Sequence, residues 1–384
     1  MVRTVVRHIE RYLFVVACRL CCLLPLNSKR VLFLSDTRDE LGGNLLYMFD
    51  RVPNSYEKIV ILRKTRRTKR TVKEILSLAI NLETSKYILL DDLSTSISMM
   101  KVRKHQKVVQ TWHGAGAYKT FGFSRNDESD KNAKYSTHRN YTHAIVSSEQ
   151  IRWCYAEGFK MNVNDVYALG FARSDVFFDK DYYERKRAEI FKDNPEFRDK
   201  KVILFAPTYR GADVAQASYD YSKLDFEKLY KELHNEYVFV LKWHPANYNV
   251  METNNIQLYD EEKYPNFFYD LSRQRDINDL LLITDILVTD YSSVIFDYLL
   301  VNKPVVYYMY DREEYNSERG LYFDLDEYLY GGVAINMDEL IEEIKSQDMF
   351  SEKREAFQNK FMKMCDGNST NRIYEHIFED KTNH

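Results

Sequence analysis

The sequence predicts an α/β chain built as two doubly wound halves facing a cleft. Three observations carry that reading. Short Val/Ile/Leu/Phe runs alternate with helix-like stretches from residue 30 to residue 309, a charged segment at 181–200 parts them into two series, and no low-complexity tract or fixed-period repeat intervenes. In the first series, strands are expected at 30–35, 57–62, 86–90, 107–112, 143–147 and 165–169, each an apolar run too short for a helix. Helices are expected between them at 43–51, 71–79 and 149–157. The second series places strands at 201–206, 237–243, 285–289 and 304–309, with helices at 226–233, 277–282 and 293–301. Strands separated by helices imply right-handed crossovers and parallel sheets. Residues 181–200 read as a connecting helix with a loop, and 337–378 as a helical tail.

The first 28 residues differ from the rest. Tyr12 to Leu26 is almost wholly apolar, yet it is about 15 residues long and contains Arg19, whereas a spanning helix wants about 20 apolar residues. No small-x-small cleavage site follows it. Arg3, Arg7 and Arg11 recur every four residues and stack on one helical face. The pattern favours a basic amphipathic helix in a membrane interface; the alternative is a helix that packs on the body of the protein. The basic run at 63–73 is the other local charge anomaly, either a solvated stretch or a contact for an anionic surface. The expected divisions are a membrane-associating segment (1–28), an N-terminal half (29–180) and a C-terminal half (181–384).

Composition narrows the function. Lys and Arg total 55 against 58 Asp and Glu, a net charge of −3, so there is no global basic field for nucleic acid. The 30 Tyr and 22 Phe fall mostly in strand-like runs and read as sheet core. Of five Cys, three crowd at positions 18, 21 and 22, which is no spaced disulfide framework and points to a reducing compartment. There is no H-E-x-x-H, no spaced Cys/His set, no Walker A and no G-x-G-x-x-G, so no metal or cofactor is expected. Asp91-Asp92 could hold a divalent ion, but a strand-ending Asp pair is usually structural.

Ligands of open parallel sheets bind outside the carboxyl ends of the strands, and four motifs fall there. In Trp112-His113-Gly114-Ala115-Gly116, a strand delivers His113 into a small-residue turn where Gly114 and Gly116 permit positive φ. Ala206-Pro207-Thr208-Tyr209-Arg210 offers Arg210 as a bidentate phosphate clamp. In Lys242-Trp243-His244-Pro245, the proline fixes the turn that holds His244. Thr289-Asp290-Tyr291-Ser292-Ser293 runs from a strand into a helix whose start, capped by Ser292 or Ser293, is an anion site made of backbone. Two His, an Arg and such a helix start suit phosphoryl transfer by positioning and charge stabilisation.

Together with Gly170-Phe171-Ala172-Arg173-Ser174-Asp175, which resembles a G-x-P-R-x-D turn with Ala172 in place of Pro, these motifs resemble the CDP-glycerol glycerophosphotransferase family of teichoic acid synthesis, over about residues 100–312. The resemblance implies a GT-B-like fold of two Rossmann-like domains, an acceptor-side N-terminal domain and a CDP-donor-binding C-terminal domain. It implies peripheral (monotopic) attachment to the cytoplasmic face of the membrane. It also implies transfer of a polyol phosphate from CDP-glycerol or CDP-ribitol to an undecaprenyl-diphosphate-linked saccharide, releasing CMP. Carried across, His113 and His244 are the catalytic histidines, His113 as general base. Arg210, His244, Ser292 and Ser293 bind the pyrophosphate, Asp290 positions the donor, and Gly114, Lys119, Arg173 and Thr208 complete the substrate contacts. The stretch from Ala115 to Gly122, with Lys119 inside it, resembles the A-G-A-x-K-x-F-G form of priming enzymes, which favours primase over polymerase. A nucleotide-sugar glycosyltransferase and a non-catalytic membrane-associated binding protein are the competing classes. Whether the chain forms a homo-oligomer stays open.

Overall fold

The computed structural model describes residues 2–65, 68–125, 138–211, 216–274, 276–318 and 320–379, with the side chains of 2–8 and 316–318 outside that description. The chain divides into two compact units: residues 1–175 with 361–384, and residues 176–360.

The first unit opens with α1 (Val2–Cys21), followed by β1 (Asn27–Ser35), α2 (Gly43–Arg51), β2 (Glu57–Leu62), α3 (Val72–Thr84), β3 (Ser85–Leu90), α4 (Thr95–Met99), β4 (Lys107–Gln110), β5 (His143–Val146), α5 (Arg152–Phe159) and β6 (Val166–Ala168). The six strands form one parallel sheet in the order β2-β1-β3-β4-β5-β6. Central β1 is buried on both faces from Val31 to Leu34, while edge strand β2 is half-exposed, as parallel sheets covered by helices require. Local signals set the helices: Thr71 caps α3 through the Glu74 N–H, and the Glu74 carboxylate returns the bond to the Thr71 N–H.

The second unit contains α6 (Lys180–Asp193), β7 (Lys201–Phe205), α7 (Phe226–Leu233), β8 (Tyr237–Leu241), α8 (Pro245–Asn254), β9 (Phe268–Asp270), α9 (Ile277–Ile283), β10 (Ile286–Thr289), α10 (Val294–Leu299), β11 (Val305–Tyr308), α11 (Arg312–Glu318), β12 (Gly332–Ala334), α12 (Met337–Lys345) and α13 (Ser351–Phe357). Its parallel sheet runs β12-β11-β10-β7-β8-β9. The order reverses between β7 and β10, which places a topological switch point there. Strands β9 and β12 were not expected; at three residues each they are too short to show a period.

The chain then returns to the first unit. Helix α14 (Ser369–Phe378) buries Ile373, Ile377 and Phe378 in the core formed by β1, α2 and β3. The structure therefore corrects the expectation that 181–384 forms one C-terminal half. The Asp175 carboxylate accepts from the Ser369 and Thr370 N–H groups at 3.0 and 2.8 Å, fixing the start of that helix.

Of the two readings of the N-terminal segment, the structure shows the packing of the helix on the body of the protein. Helix α1 packs along α3 and buries Phe14, Ala17 and Cys18. Tyr12, Leu20 and Leu23 remain 69%, 65% and 83% exposed. Among the described residues no helix is long and apolar enough to cross a membrane. The side chains of Arg3 and Arg7, and residues Arg66 and Arg67 of the basic run, lie outside the described residues. Within that run Arg63 and Arg70 turn inward onto the buried Asp36 at 3.0 and 2.7 Å.

At the start of β5, burial pushes the His143 imidazole down to about 4, with Lys107 and His376 adding to the effect. The folded state thus binds fewer protons than the unfolded one between about pH 6.5 and 4, and stability falls as pH falls through that window. The loss should reach about 2 kcal/mol near pH 4, discounted from the full shift because the ring is only half-buried. Replacing His143 by Gln should flatten that part of the pH–stability curve in thermal melts. An unchanged acid slope would show that His143 is not held neutral.

Candidate functional site

In the first unit, β4 delivers the chain through Thr111 and Trp112 to His113. Trp112 adopts φ +56 and Gly116 φ +66, so the left-handed conformation expected at Gly114 falls on Trp112 instead. The Gly114 and Gly116 carbonyls accept from the Tyr155 hydroxyl at 3.1 and 2.7 Å, and the Gly116 N–H reaches Ser147 Oγ at 3.3 Å, which pins the turn from beneath. His113 is exposed, and its Nδ1 lies 3.2 Å from the Asp91 carbonyl oxygen. A carbonyl only accepts, so Nδ1 carries a proton, and in the neutral ring Nε2 is then the acceptor. Asp91 pairs with Arg38 at 2.8 Å; burial pushes its carboxyl up, against the pull of that guanidinium. Lys119 is half-buried farther along the same loop.

Arg173 comes beside this segment through Asn44, the second residue of α2. The Asn44 Oδ1 accepts from the Arg173 N–H at 3.0 Å, while its Nδ2 donates to the Thr111 and Trp112 carbonyls at 3.0 and 2.9 Å. Gly170, at φ +87, opens the same turn where a Cβ would sit 2.3 Å from the Met364 carbonyl oxygen, so only glycine fits. Thus Gly170 and Asp175 of the G-x-P-R-x-D-like motif shape the backbone, and Asp175 serves α14.

In the second unit, the switch point is closed by a carboxylate. Asp290, 1% exposed, accepts from the Thr208 and Tyr291 N–H groups at 2.8 and 2.7 Å and from Arg210 Nη1 at 2.9 Å. Arg210 also donates to the Thr208 carbonyl at 2.8 Å and, with Nε and Nη2, to Asp311 at 2.5 and 3.0 Å. Both prongs of the expected phosphate clamp therefore hold Asp311, and four of the five guanidinium N–H groups are engaged. The rings of Tyr219, Tyr291, Tyr310 and Tyr315 stand 5.0–5.6 Å from the guanidinium carbon. Burial works against the charge, but Asp290 and Asp311 outweigh it and hold Arg210 further into its charged form.

His244 begins α8, with Pro245 at the first helical position. Its Nδ1 accepts from the Ala246 N–H at 3.1 Å, so Nε2 carries the proton. Its ring packs 4.7 Å from that of Tyr209, next to Thr208. Lys242, buried at the end of β8, donates to the Ser272 carbonyl at 3.1 Å; burial pulls its ammonium down, opposed by Asp270 and Asp276. Ser292 Oγ accepts from the Val294 N–H at 3.3 Å, whereas Ser293, at the N-cap, is exposed and makes no side-chain cap. The helix they start has six residues, so its dipole is short.

The structure thus gathers His113, Gly114, Lys119 and Arg173 in one unit, and Thr208, Arg210, His244, Asp290, Ser292 and Ser293 in the other. Asp311 and Asn44 were missed. Asp311 follows β11 at the same sheet end as Asp290, a signal that could have found it; a lone Asn after two glycines gives none. Among the described residues, no group of three or more metal-ligating side chains could hold an ion.

The sequence profile described as CDP-Glycerol:Poly(glycerophosphate) glycerophosphotransferase matches residues 16–379. The chain belongs to that family. It is 39% identical over 376 residues to the teichoic acid poly(ribitol-phosphate) polymerase of Bacillus spizizenii, a match covering 97% of this chain and 60% of that protein, so the chain spans about 60% of that relative's length. The teichoic acid ribitol-phosphate primase of the same organism is 30% identical over 371 residues, covering 93% of both chains. The solved structure of the wall teichoic acid polymerase TagF superposes with a TM-score of 0.76 at 23% identity, covering 98% of this chain and 97% of that one, which shows the α/β fold with two parallel sheets.

Replacing Arg210 by Met would leave the buried Asp290 and the half-buried Asp311 side by side without a cation. Denaturant unfolding should report a loss of about 3–5 kcal/mol. Adding Asp290→Asn and Asp311→Asn to the same chain should recover most of it. Parent-like stability of the single variant would show that the triad does not hold the switch point together.

Proposed function

We propose that the chain transfers a polyol phosphate from a CDP-polyol to a hydroxyl of a lipid-linked saccharide in teichoic acid synthesis, releasing CMP, with a GT-B-like division of labour between two Rossmann-like units. Family membership supplies the reaction class. The observation that carries the site assignment is the pairing of His113 Nδ1 with the Asp91 carbonyl. It leaves Nε2 able to take the proton of the acceptor hydroxyl as its oxygen bonds to the polyol-bearing phosphorus. The bond from that phosphorus to the bridging oxygen breaks, and CMP leaves with the electron pair. His244, of opposite tautomer, offers Nε2–H to a pyrophosphate oxygen. In the second unit Ser292, Ser293 and Thr208 add further donors, and Arg210 and Asp290 hold the loops that carry them in shape; in the first unit Lys119 and the backbone at Gly114 are the substrate contacts beside His113.

Ribitol is the favoured polyol, because both relatives described above are ribitol-phosphate enzymes. A priming role is supported by the A-G-A-x-K-x-F-G form around Lys119; the polymerase reading is supported by the higher identity to the poly(ribitol-phosphate) polymerase. Membrane attachment is peripheral in this reading, with Tyr12, Leu20 and Leu23 of the N-terminal segment seated in an anionic interface.

His113→Ala should lower transfer by about 10²–10⁴-fold while CDP-polyol binding, followed by calorimetry, survives. If the variant loses donor affinity instead, His113 belongs to the donor site. Mass spectrometry of products from CDP-ribitol, CDP-glycerol and UDP-sugars with a synthetic lipid-linked disaccharide separates the readings: one added unit means primase, a ladder means polymerase, and UDP release means a glycosyltransferase.

Deleting residues 1–28 would uncover α3, so the membrane test uses the exposed face of the segment. Leu20→Glu with Leu23→Glu should abolish flotation with anionic liposomes and leave the melting temperature unchanged. Flotation equal to that of the parent would place the membrane contact elsewhere.

A further inference from the structure

The backbone that presents His113 is held from outside its own segment. Trp112, directly before it, is a non-glycine residue at φ +56, a conformation that persists only where its surroundings over-determine it. Asn44 is what bears on it. Both Nδ2 hydrogens are used, one on the Thr111 carbonyl and one on that of Trp112, while Oδ1 accepts from the Arg173 N–H. Asn44 as a whole is 2% exposed. Turned over, it would set its oxygen against two carbonyl oxygens, so the amide has a single workable orientation. The residue before it, Gly43, sits at φ +55 against the Arg38 guanidinium. That guanidinium pairs with Asp91, whose carbonyl receives His113 Nδ1–H. The β1–α2 loop and the first turn of α2 therefore reach His113 by two routes, Asn44 to its backbone and Arg38, through Asp91, to its ring.

We propose that Asn44 is a positioning residue for His113: by clamping the Thr111 and Trp112 carbonyls it fixes the left-handed turn, and with it the direction in which Nε2 faces. The inference rests on the reading of His113 as the base. Asn44 acts through residues 111–113. Without its two donors Trp112 relaxes toward the extended region and carries the imidazole away from the Asp91 carbonyl, releasing the tautomer as well as the position.

Two substitutions test this. Asn44→Asp keeps the shape but replaces both donors by an oxygen; Asn44→Ser keeps one donor on a shorter arm. Each should lower kcat by about 10²-fold, the scale expected for a displacement near 1 Å at the reacting centre, with KM for the CDP-polyol unchanged. In a His113→Ala background the same substitutions should change the residual rate by less than about twofold, because residues acting through one group are not additive. In protein labelled with ¹⁵N-histidine, the signal missing from His113→Ala identifies His113. It should report the Nδ1–H tautomer in the parent and a mixture in the Asn44 variants. Folded Asn44 variants with parental kcat, an equal loss in both backgrounds, or failure of both variants to fold would each overturn the proposal, the last by making Asn44 a general structural residue. Full activity of His113→Ala would instead overturn the base assignment, whatever Asn44 does.

Discussion

The buried carboxylate of Asp290 governs the second unit. A parallel sheet that reverses its winding must let two loops part at the reversal, and their backbone N–H groups then lose strand partners. Asp290 answers by accepting from one N–H after β7 and one after β10, and Arg210 spans from it to Asp311. An unpaired charge there would be far more expensive than the pair. The first unit solves the same problem without charge, using the Asn44 amide between α2, the loop after β4 and the turn at Arg173. In both units one Asx side chain at the carboxyl end of the sheet's strands ties together loops that are distant in sequence.

The two histidines show how little chemistry is needed to give identical side chains opposite hydrogen-bonding faces. Each is fixed through Nδ1 by one backbone group. A carbonyl against His113 makes Nε2 the acceptor of the neutral ring, and an N–H against His244 leaves a proton on its Nε2. The two rings therefore present opposite hydrogen-bonding faces at Nε2, one an acceptor and the other a donor.

Most strands and the alternation that makes the fold α/β were legible because buried parallel strands are continuous apolar runs. The ends of β4 and β8 were overextended into Trp112 and Trp243, since an aromatic residue after an apolar run prolongs the pattern whether or not its backbone stays in the ladder. The motifs at the strand ends were legible too, but not the use of their side chains. Arg210 in isolation is a phosphate clamp by chemistry; only the fold reveals Asp311, 101 residues later, already in its grip. Asn44 was silent for the complementary reason: an amide becomes informative only when the carbonyls it meets are known.

The return of α14 has a consequence for biogenesis. The second unit is a contiguous stretch, whereas the first needs Ile373, Ile377 and Phe378 to close its core. Domains usually mature in the order in which they leave the ribosome. Here the order inverts: the later-made unit can finish first, while the earlier sheet waits with part of its apolar face uncovered until the last helix of the core is synthesised. That interval, rather than the finished protein, is when the chain is most exposed to aggregation.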